Sequence, residues 1–242
     1  IPQGVEEAAQ SLGLRVQDQP ALEDIMAEAN RRLVKENLSY QELTWRLKKA
    51  VAENERLVEQ LKEANRALEQ IAYYDALTGL VNRRRFHEVF PAEIARHSRN
   101  SQPLSFVMLD LDHFKRINDS YGHPFGDTVL QSVASVLKEV LRATDIKVRV
   151  GGEELCIILP ETDVKLAKQT TERVRAAIAG MELQTSRSQV PVTASFGGCT
   201  WLGAVRSRDG IERVTKRLID RADVALYEAK RSGRNRVVWY NF

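Results

Sequence analysis

The segment Asp145-Ile146-Lys147-Val148-Arg149-Val150-Gly151-Gly152-Glu153-Glu154-Leu155-Cys156-Ile157-Ile158-Leu159 decides the fold. Two short runs rich in Val, Ile and Leu flank a Gly-Gly pair, and such a pattern reads as a β-hairpin with strands over 145–150 and 154–159. Working outward, the apolar run Leu104–Leu111 predicts a buried strand, and further strands are expected over 191–199 and 235–240. Helical spacing is found over 82–98, 124–141, 163–179 and 210–231. The order helix, strand, helix, hairpin, helix, strand, helix, strand predicts an α/β (α+β) sandwich, with helices packed against one mixed sheet.

The remainder of the chain differs in kind. Residues 1–73 carry 13 acidic and 10 basic residues, whereas residues 74–242 carry 20 and 26. Two domains are therefore expected, 1–73 and 74–242. Gln19-Pro20 suits a helix start, because Pro is accepted in a first turn. Apolar residues then recur at Leu22, Ile25, Met26, Ala29 and Leu33. Ser39-Tyr40-Gln41-Glu42 has the form of a capping box, so a second helix is expected to begin there. From 40 to 72 there is no Gly or Pro, which allows a helix about 50 Å long at roughly 1.5 Å per residue. Leu57, Leu61, Ala64, Leu68 and Ile71 alternate spacings of four and three, the seam of a coiled coil, and Asn54 lies on the same seam. The competing reading is a single amphipathic helix lying on its own domain. A long and otherwise polar helix has little stability alone in water, which favours a dimeric coiled coil.

Composition removes other classes. With 43% hydrophobic and 29% charged residues the chain is globular, neither collagen-like nor wholly disordered. No apolar run approaches the roughly 18 residues of a membrane span. Cys156 and Cys199 make neither a disulfide framework nor a metal spacing, which fits a reducing compartment, so a cytoplasmic location is expected. No signal-peptide pattern is visible, and the chain opens Ile1-Pro2 without Met, which leaves room for an upstream segment. The basic excess of the second part suits an anionic ligand but is too small and scattered to argue for nucleic acid.

Two acidic clusters carry the chemistry. Asp110 and Asp112 end the apolar strand 104–111; Glu153 and Glu154 follow two glycines at the hairpin tip. Carboxylates converging from a strand end and an adjacent hairpin suit Mg²⁺, which takes oxygen ligands and substrate phosphates. Glycines before them let a phosphate approach the backbone. Read alone, the hairpin is equally a β-turn with solvated glutamates.

These clusters belong to an ordered set of five motifs. Asp75-Ala76-Leu77-Thr78-Gly79-Leu80-Val81-Asn82-Arg83-Arg84 comes first, then Asp110-Leu111-Asp112-His113-Phe114-Lys115-Arg116-Ile117-Asn118-Asp119, then Tyr121-Gly122-His123-Pro124-Phe125-Gly126-Asp127. Arg149-Val150-Gly151-Gly152-Glu153-Glu154-Leu155 follows, and Ala222–Lys230 with Gly233-Arg234-Asn235 closes the set. Together, over about 73–242, they resemble the GGDEF family of diguanylate cyclases. Leu155 stands where the family has Phe and Val150 where it has an aromatic residue; both changes are apolar and bear on packing.

The resemblance implies a fold like the palm of nucleotidyl cyclases and polymerases. It implies condensation of two GTP into cyclic di-GMP with release of two pyrophosphates, at a site shared by two facing domains. It places two Mg²⁺ ions, with Mn²⁺ as a substitute, on Asp110, Glu153 and the Leu111 carbonyl, with Glu154 close by. It makes Glu153 a candidate acceptor of the 3′-OH proton, although a metal-bound alkoxide would serve without a base. Lys115 matches a lysine that stabilises transition-state charge, and Lys230 and Arg234 match residues on the β- and γ-phosphates. Asn118 and Asp127 match guanine readers, with His123 near the nucleotide and Leu77 and Phe114 walling the base. A carboxylate accepts from guanine N1–H and its 2-amino group, and adenine lacks both donors, so GTP selectivity is expected.

Arg142-Ala143-Thr144-Asp145 matches the family's RxxD inhibitory site, where product restrains the enzyme, with Arg173 contributing from a neighbouring helix. Residues 1–38 hold no recognisable sensor and are too few for an independent core, so a stalk extension or a docking surface for another protein is expected. This layout is similar to cyclases that a partner protein activates on the stalk. The rival readings are a silent GGDEF effector that binds GTP or cyclic di-GMP, and a coiled-coil scaffold; the full carboxylate, phosphate and guanine set favours the enzyme.

Overall fold

The computed structural model describes residues 19–184, 189–205 and 207–242, with isolated positions 4, 7 and 11. The chain divides into two compact units, 1–66 and 67–242. Much of the segment 1–18, where a stalk extension is expected, lies outside the described residues.

Helix α1 runs Gln19–Tyr73 without interruption. The second helix start expected at Ser39 is not there. Ser39 Oγ instead donates to the Glu36 carbonyl, one turn back, at 2.8 Å. With no Gly or Pro nearby, nothing releases the backbone for the serine to cap. Continuity extends the heptad seam backward: Leu22, Met26, Ala29, Leu33, Tyr40, Leu43, Leu47 and Ala50 keep its phase, and only Glu36 and Asn54 are polar. Most of this seam is bare; Leu61 is 61% exposed and Ile71 80%.

The second unit is built on a six-stranded sheet. Its elements are β1 (Val81–Asn82), α2 (Arg83–Asn100), β2 (Leu104–Leu111), α3 (Phe114–Tyr121), α4 (His123–Val140), β3 (Ile146–Gly151), β4 (Glu154–Pro160), α5 (Val164–Ala179), β5 (Leu183–Gln184), β6 (Gln189–Val190), β7 (Ala194–Trp201), α6 (Arg208–Arg231) and β8 (Val237–Asn241). Strand order is β1-β3-β4-β2-β7-β8, with β5 and β6 forming a separate pair. The sheet is mixed: β1–β3 and β7–β8 are parallel, and the pairs between them antiparallel. Strand β2 is central, which is why it reads as a continuous apolar run.

Alternation along β2 sends side chains to two cores. Val107, Leu109 and Leu111 pack with Val129, Val133 and Leu137 of α4 and Val174 and Ile178 of α5. Leu104 and Phe106 pack with Phe86, Phe90 and Ile94 of α2 and Leu218 and Ala222 of α6. Caps fix the helix starts: Asn82 accepts from Arg85 N, Asp163 from Leu166 N and Ser207 from Gly210 N. Helix α6 lies so close on β7 that a Cβ at Gly197 would meet Leu226 N at 2.1 Å.

Candidate active site

Two of the acidic groups, Asp110 and Glu154, meet at the C-terminal end of β2. Asp110 is paired with Glu154 of β4 on one side and with Ser195 of β7 on the other. Directly opposed residues share a face, with Cβ atoms about 5 Å apart. Lys230, in the last turn of α6, places Nζ 2.9 Å from Asp110 Oδ1. Burial raises the Asp110 carboxyl above its usual range, against the opposing pull of Lys230. Glu153 sits in the turn beside Gly152, whose φ of +47° is left-handed. The ladder shifts register between Arg149 and Gly151, re-aiming the tip.

Among the described residues, no three His, Cys, Asp or Glu side chains stand together as a group that could hold a metal ion. The structure brings Asp110 and Glu154 together across the β2–β4 ladder; Glu153 is the next residue toward the hairpin tip, and Leu111, whose carbonyl was also expected at the metal, is the last residue of β2. An open oxygen set of this kind fits a hard divalent cation that completes its shell with water and nucleotide phosphates.

Asp112, two residues on, is used differently. It is buried, and its carboxylate accepts from Thr193 Oγ1 (2.7 Å), Ser195 Oγ (2.7 Å) and the Asn235 backbone N–H (3.0 Å). Three of its roughly four acceptor sites are thus in use, which makes it a tie between the end of β2, β7 and the approach to β8.

A second focus lies on α3 and α4. Asn118 Oδ1 is buried and without a hydrogen-bond partner among the described residues. A Cβ on Gly126 would stand 1.8 Å from that oxygen and 3.2 Å from the Phe114 ring, so only glycine lets α4 back this pocket. Phe114 is buried, Leu77 and Phe125 pack against the same core, and Asp127 is exposed one residue after Gly126. His123 opens α4, exposed. Lys115 is exposed on the first turn of α3 and makes no hydrogen bond or ion pair among the described residues.

Arg149 locks the hairpin to the turn before β1. Its Nε and Nη2 donate to the Gly152 carbonyl at 3.1 and 3.0 Å, and its Nη1 meets Asp75 Oδ1 at 3.0 Å. Asp75 Oδ1 also accepts from Thr78 N and Thr78 Oγ1. Burial alone would raise the Asp75 carboxyl, but the bonds from Thr78 and Arg149 outweigh it and hold it below its usual range.

At the expected product site, Asp145 is buried and its carboxylate accepts from the Arg142 backbone N–H at 2.8 Å. The motif is thus a closed turn that holds the Arg142 side chain outward. Arg142 and Arg173 are both exposed, Arg173 on α5, and no hydrogen bond or ion pair joins them.

This fold and this cluster coincide with a known family. Residues 72–236 match the family described as diguanylate cyclase, GGDEF domain, and the chain belongs to it. Among curated relatives, diguanylate cyclase DgcP of Pseudomonas aeruginosa is 42% identical over 168 residues, covering 69% of this chain and 24% of the relative. Diguanylate cyclase VdcA of Vibrio cholerae is 37% identical over 229 residues, covering 92% and 62%. The chain thus spans from about a quarter to under two thirds of these relatives' length. Among solved structures, the coiled coil and GGDEF domain of DgcB from Caulobacter crescentus, in complex with c-di-GMP, matches with a TM-score of 0.70 at 30% identity, covering 80% of this chain and 99% of that one. Diguanylate cyclase SiaD of Pseudomonas aeruginosa, in complex with its activator SiaC, matches with a TM-score of 0.68 at 31% identity, covering 97% and 87%.

The sequence gives no role to Arg149, Asp75 or Gly126, and it groups Asp112 with Asp110 as a cluster suited to Mg²⁺, whereas in the structure Asp112 is engaged by Thr193, Ser195 and Asn235. Asp112 carries the same residue type, on the same strand end, as Asp110, and only its partners distinguish the two.

Proposed function

We propose that the chain is a diguanylate cyclase that joins two GTP into cyclic di-GMP. The observation that carries the reading is a pairing of needs. A buried Asn118 oxygen wants a donor, as guanine N1–H or its 2-amino group offers. At the end of β2, the open oxygen set around Asp110 wants a cation and its phosphates. We place the domain boundary at 73/74, as the change in composition suggests.

In this mechanism Asn118 and Asp127 orient the base, Phe114 and Leu77 wall it, and His123 flanks it. Lys230 and Arg234 hold the β- and γ-phosphates, and Lys115 offsets charge growing on the α-phosphoryl group. Asp110, Glu153, Glu154 and the Leu111 carbonyl would hold divalent cations, Mg²⁺ or Mn²⁺, which supply Lewis-acid polarisation of phosphoryl oxygens. The 3′-oxygen of one GTP attacks the α-phosphorus of the other; that P–O bond forms, the bond to the bridging oxygen breaks, and pyrophosphate leaves. The 3′-OH proton passes to Glu153 or to solvent. The same step in reverse orientation closes the ring and releases the second pyrophosphate.

One domain holds half of this site. A homodimer through the bare seam of α1 would bring two halves into one assembly, and a protein partner on the stalk, as SiaC is for SiaD, would set how they meet. Product bound by Arg142, with Asp145 holding the turn and Arg173 assisting, would restrain the enzyme. No helix among the described residues is long and apolar enough to cross a membrane, and two buried free cysteines suit the reducing cytoplasm where we place the chain.

The test is to incubate the chain with GTP and Mg²⁺ over a range of protein concentrations and quantify cyclic di-GMP. Product rising more than linearly with protein, and noncompetitive inhibition by added cyclic di-GMP, are expected. Bound GTP with no product at any concentration would leave two readings, a silent effector or an enzyme that waits for its stalk partner.

A further inference from the structure

The turn between α6 and β8 is held from outside the reacting groups. Gly233, Arg234 and Asn235 all have positive φ (116°, 61° and 44°), so two non-glycine residues in succession sit in the left-handed region. Such a conformation persists only where its surroundings enforce it. The enforcing groups are visible on both sides of Asn235. Its side-chain oxygen accepts from Arg175 Nη1 at 2.7 Å, and its backbone N–H donates to Asp112 Oδ2 at 3.0 Å.

Both anchors are themselves fixed. Arg175 Nε and Nη2 donate to Glu172 Oε1 at 2.8 and 2.6 Å, one turn away on α5. Asp112 is braced by Thr193 and Ser195 of the β7 side. Arg234 stands just before Asn235, and its own N–H closes the end of α6 on the Ala229 carbonyl at 3.0 Å. The Asp112 anchor shares a strand end with Asp110, two residues away. The path Glu172–Arg175–Asn235–Asp112 therefore ties the Gly233–Asn235 turn to the strand end that carries the carboxylate of Asp110. An exposed Arg–Glu pair within one helix contributes little by itself. A guanidinium bonded across 60 residues to a left-handed turn has a different task.

We propose that Arg175, Asn235 and Asp112 are positioning residues that hold the Gly233–Asn235 turn so that Arg234 meets the phosphate tail of the nucleotide. The inference rests on the reading of Arg234 as a phosphate ligand.

The test uses the full chain and two probes, GTP and GMP, which share base and ribose while only GTP carries β- and γ-phosphates. Arg175→Met is expected to raise the Kd for GTP about tenfold, the equivalent of one lost charged hydrogen bond, and to leave GMP within twofold. In turnover, KM rises more than kcat falls, and Arg175→Lys restores part of the loss. Asp112→Asn, which keeps the size and loses the charge, shows the same selective loss. If Arg175→Met binds GTP as the parent does while Arg234→Ala loses GTP selectively, the clamp is overturned and the phosphate role of Arg234 stands. If Arg234→Ala also leaves GTP unchanged, the phosphate reading falls and the clamp with it. An equal loss of GTP and GMP in Arg175→Met, with a lowered Tm, makes Arg175 a general stabiliser and overturns the proposal as well.

Discussion

Helix α1 and the sheet domain use apolar residues in opposite ways. In the domain, Phe90, Phe106, Leu109 and Ile157 are fully buried between sheet and helices. Along α1, Leu33, Leu43, Leu47, Leu57 and Leu68 stand in the open, each more than half exposed. The domain satisfies its own hydrophobic surface; the helix does not. Each seam leucine covered by another surface would contribute about 1.5–3 kcal/mol. The stability of the helix is therefore tied to association, and in the proposed function two domains meet through the same event.

The widest separation of the two regions comes from a change that touches chemistry alone. Asp110→Asn keeps size and strand pairing but removes the carboxylate at the centre of the oxygen set. Cyclic di-GMP synthesis should fall at least about 10³-fold while circular dichroism and oligomeric state stay unchanged. A loss under tenfold would move the metal site elsewhere. Asp127→Ser acts next, on selectivity: the preference for GTP over ATP should drop about 10²-fold, measured as a ratio of kcat/KM values. An unchanged ratio would remove Asp127 from the guanine reader.

Changing the other region should give a conditional defect. Leu61→Glu combined with Leu68→Glu puts charge on the seam without touching the domain. Activity at low protein concentration should fall about tenfold or more and recover at high concentration, with the dimer lost in sedimentation. Equal activity at all concentrations would show that the seam does not bring the domains together.

The smallest effect belongs to the turn where the helix ends. Asp75 has a folded-state pKa held below its unfolded value, so its ionised form stabilises the fold. That contribution is complete above the unfolded pKa and is lost as pH falls through the lowered folded value. As pH falls below about 4 the parent should lose more stability than Asp75→Asn, which at pH 7 should be weaker by about 1 kcal/mol. Parallel denaturation curves for the two proteins across that range would remove Arg149 and Thr78 as partners of an ionised Asp75.

Much of the sheet was legible because its signals are local. The Gly151-Gly152 hairpin and the apolar run 104–111 each declare themselves within a few residues. Elements that depend on tertiary partners were not legible. Strand β1 has two residues and exists against β3, with a single bridge from Val81 to Tyr74. Helix α3 forms from a polar stretch whose apolar residues Phe114 and Ile117 look like loop content until α4 packs on them. The β7 and β8 boundaries, expected at 191 and 235, move to Ala194 and Val237, because Asp112 recruits Thr193 and Asn235 on the way into both strands. The capping pattern at Ser39 misled for the opposite reason: the local signal was present, but uninterrupted helix on both sides overrode it. In the site, residue types could be matched to chemistry, whereas the empty acceptor of Asn118 and the fit of Gly126 needed coordinates.

The two carboxylates at the end of β2 carry a consequence for how such a protein falls silent. Losing Asp110 would leave a folded domain still shaped for nucleotide, a natural origin for a receptor that senses without synthesis. Losing Asp112 would leave every residue of the Gly151–Leu155 signature intact and remove the bond by which, in our proposal, it holds the turn that carries Arg234. On the proposed function, a descendant of this chain would abandon synthesis without any change in the motif by which its kind is recognised.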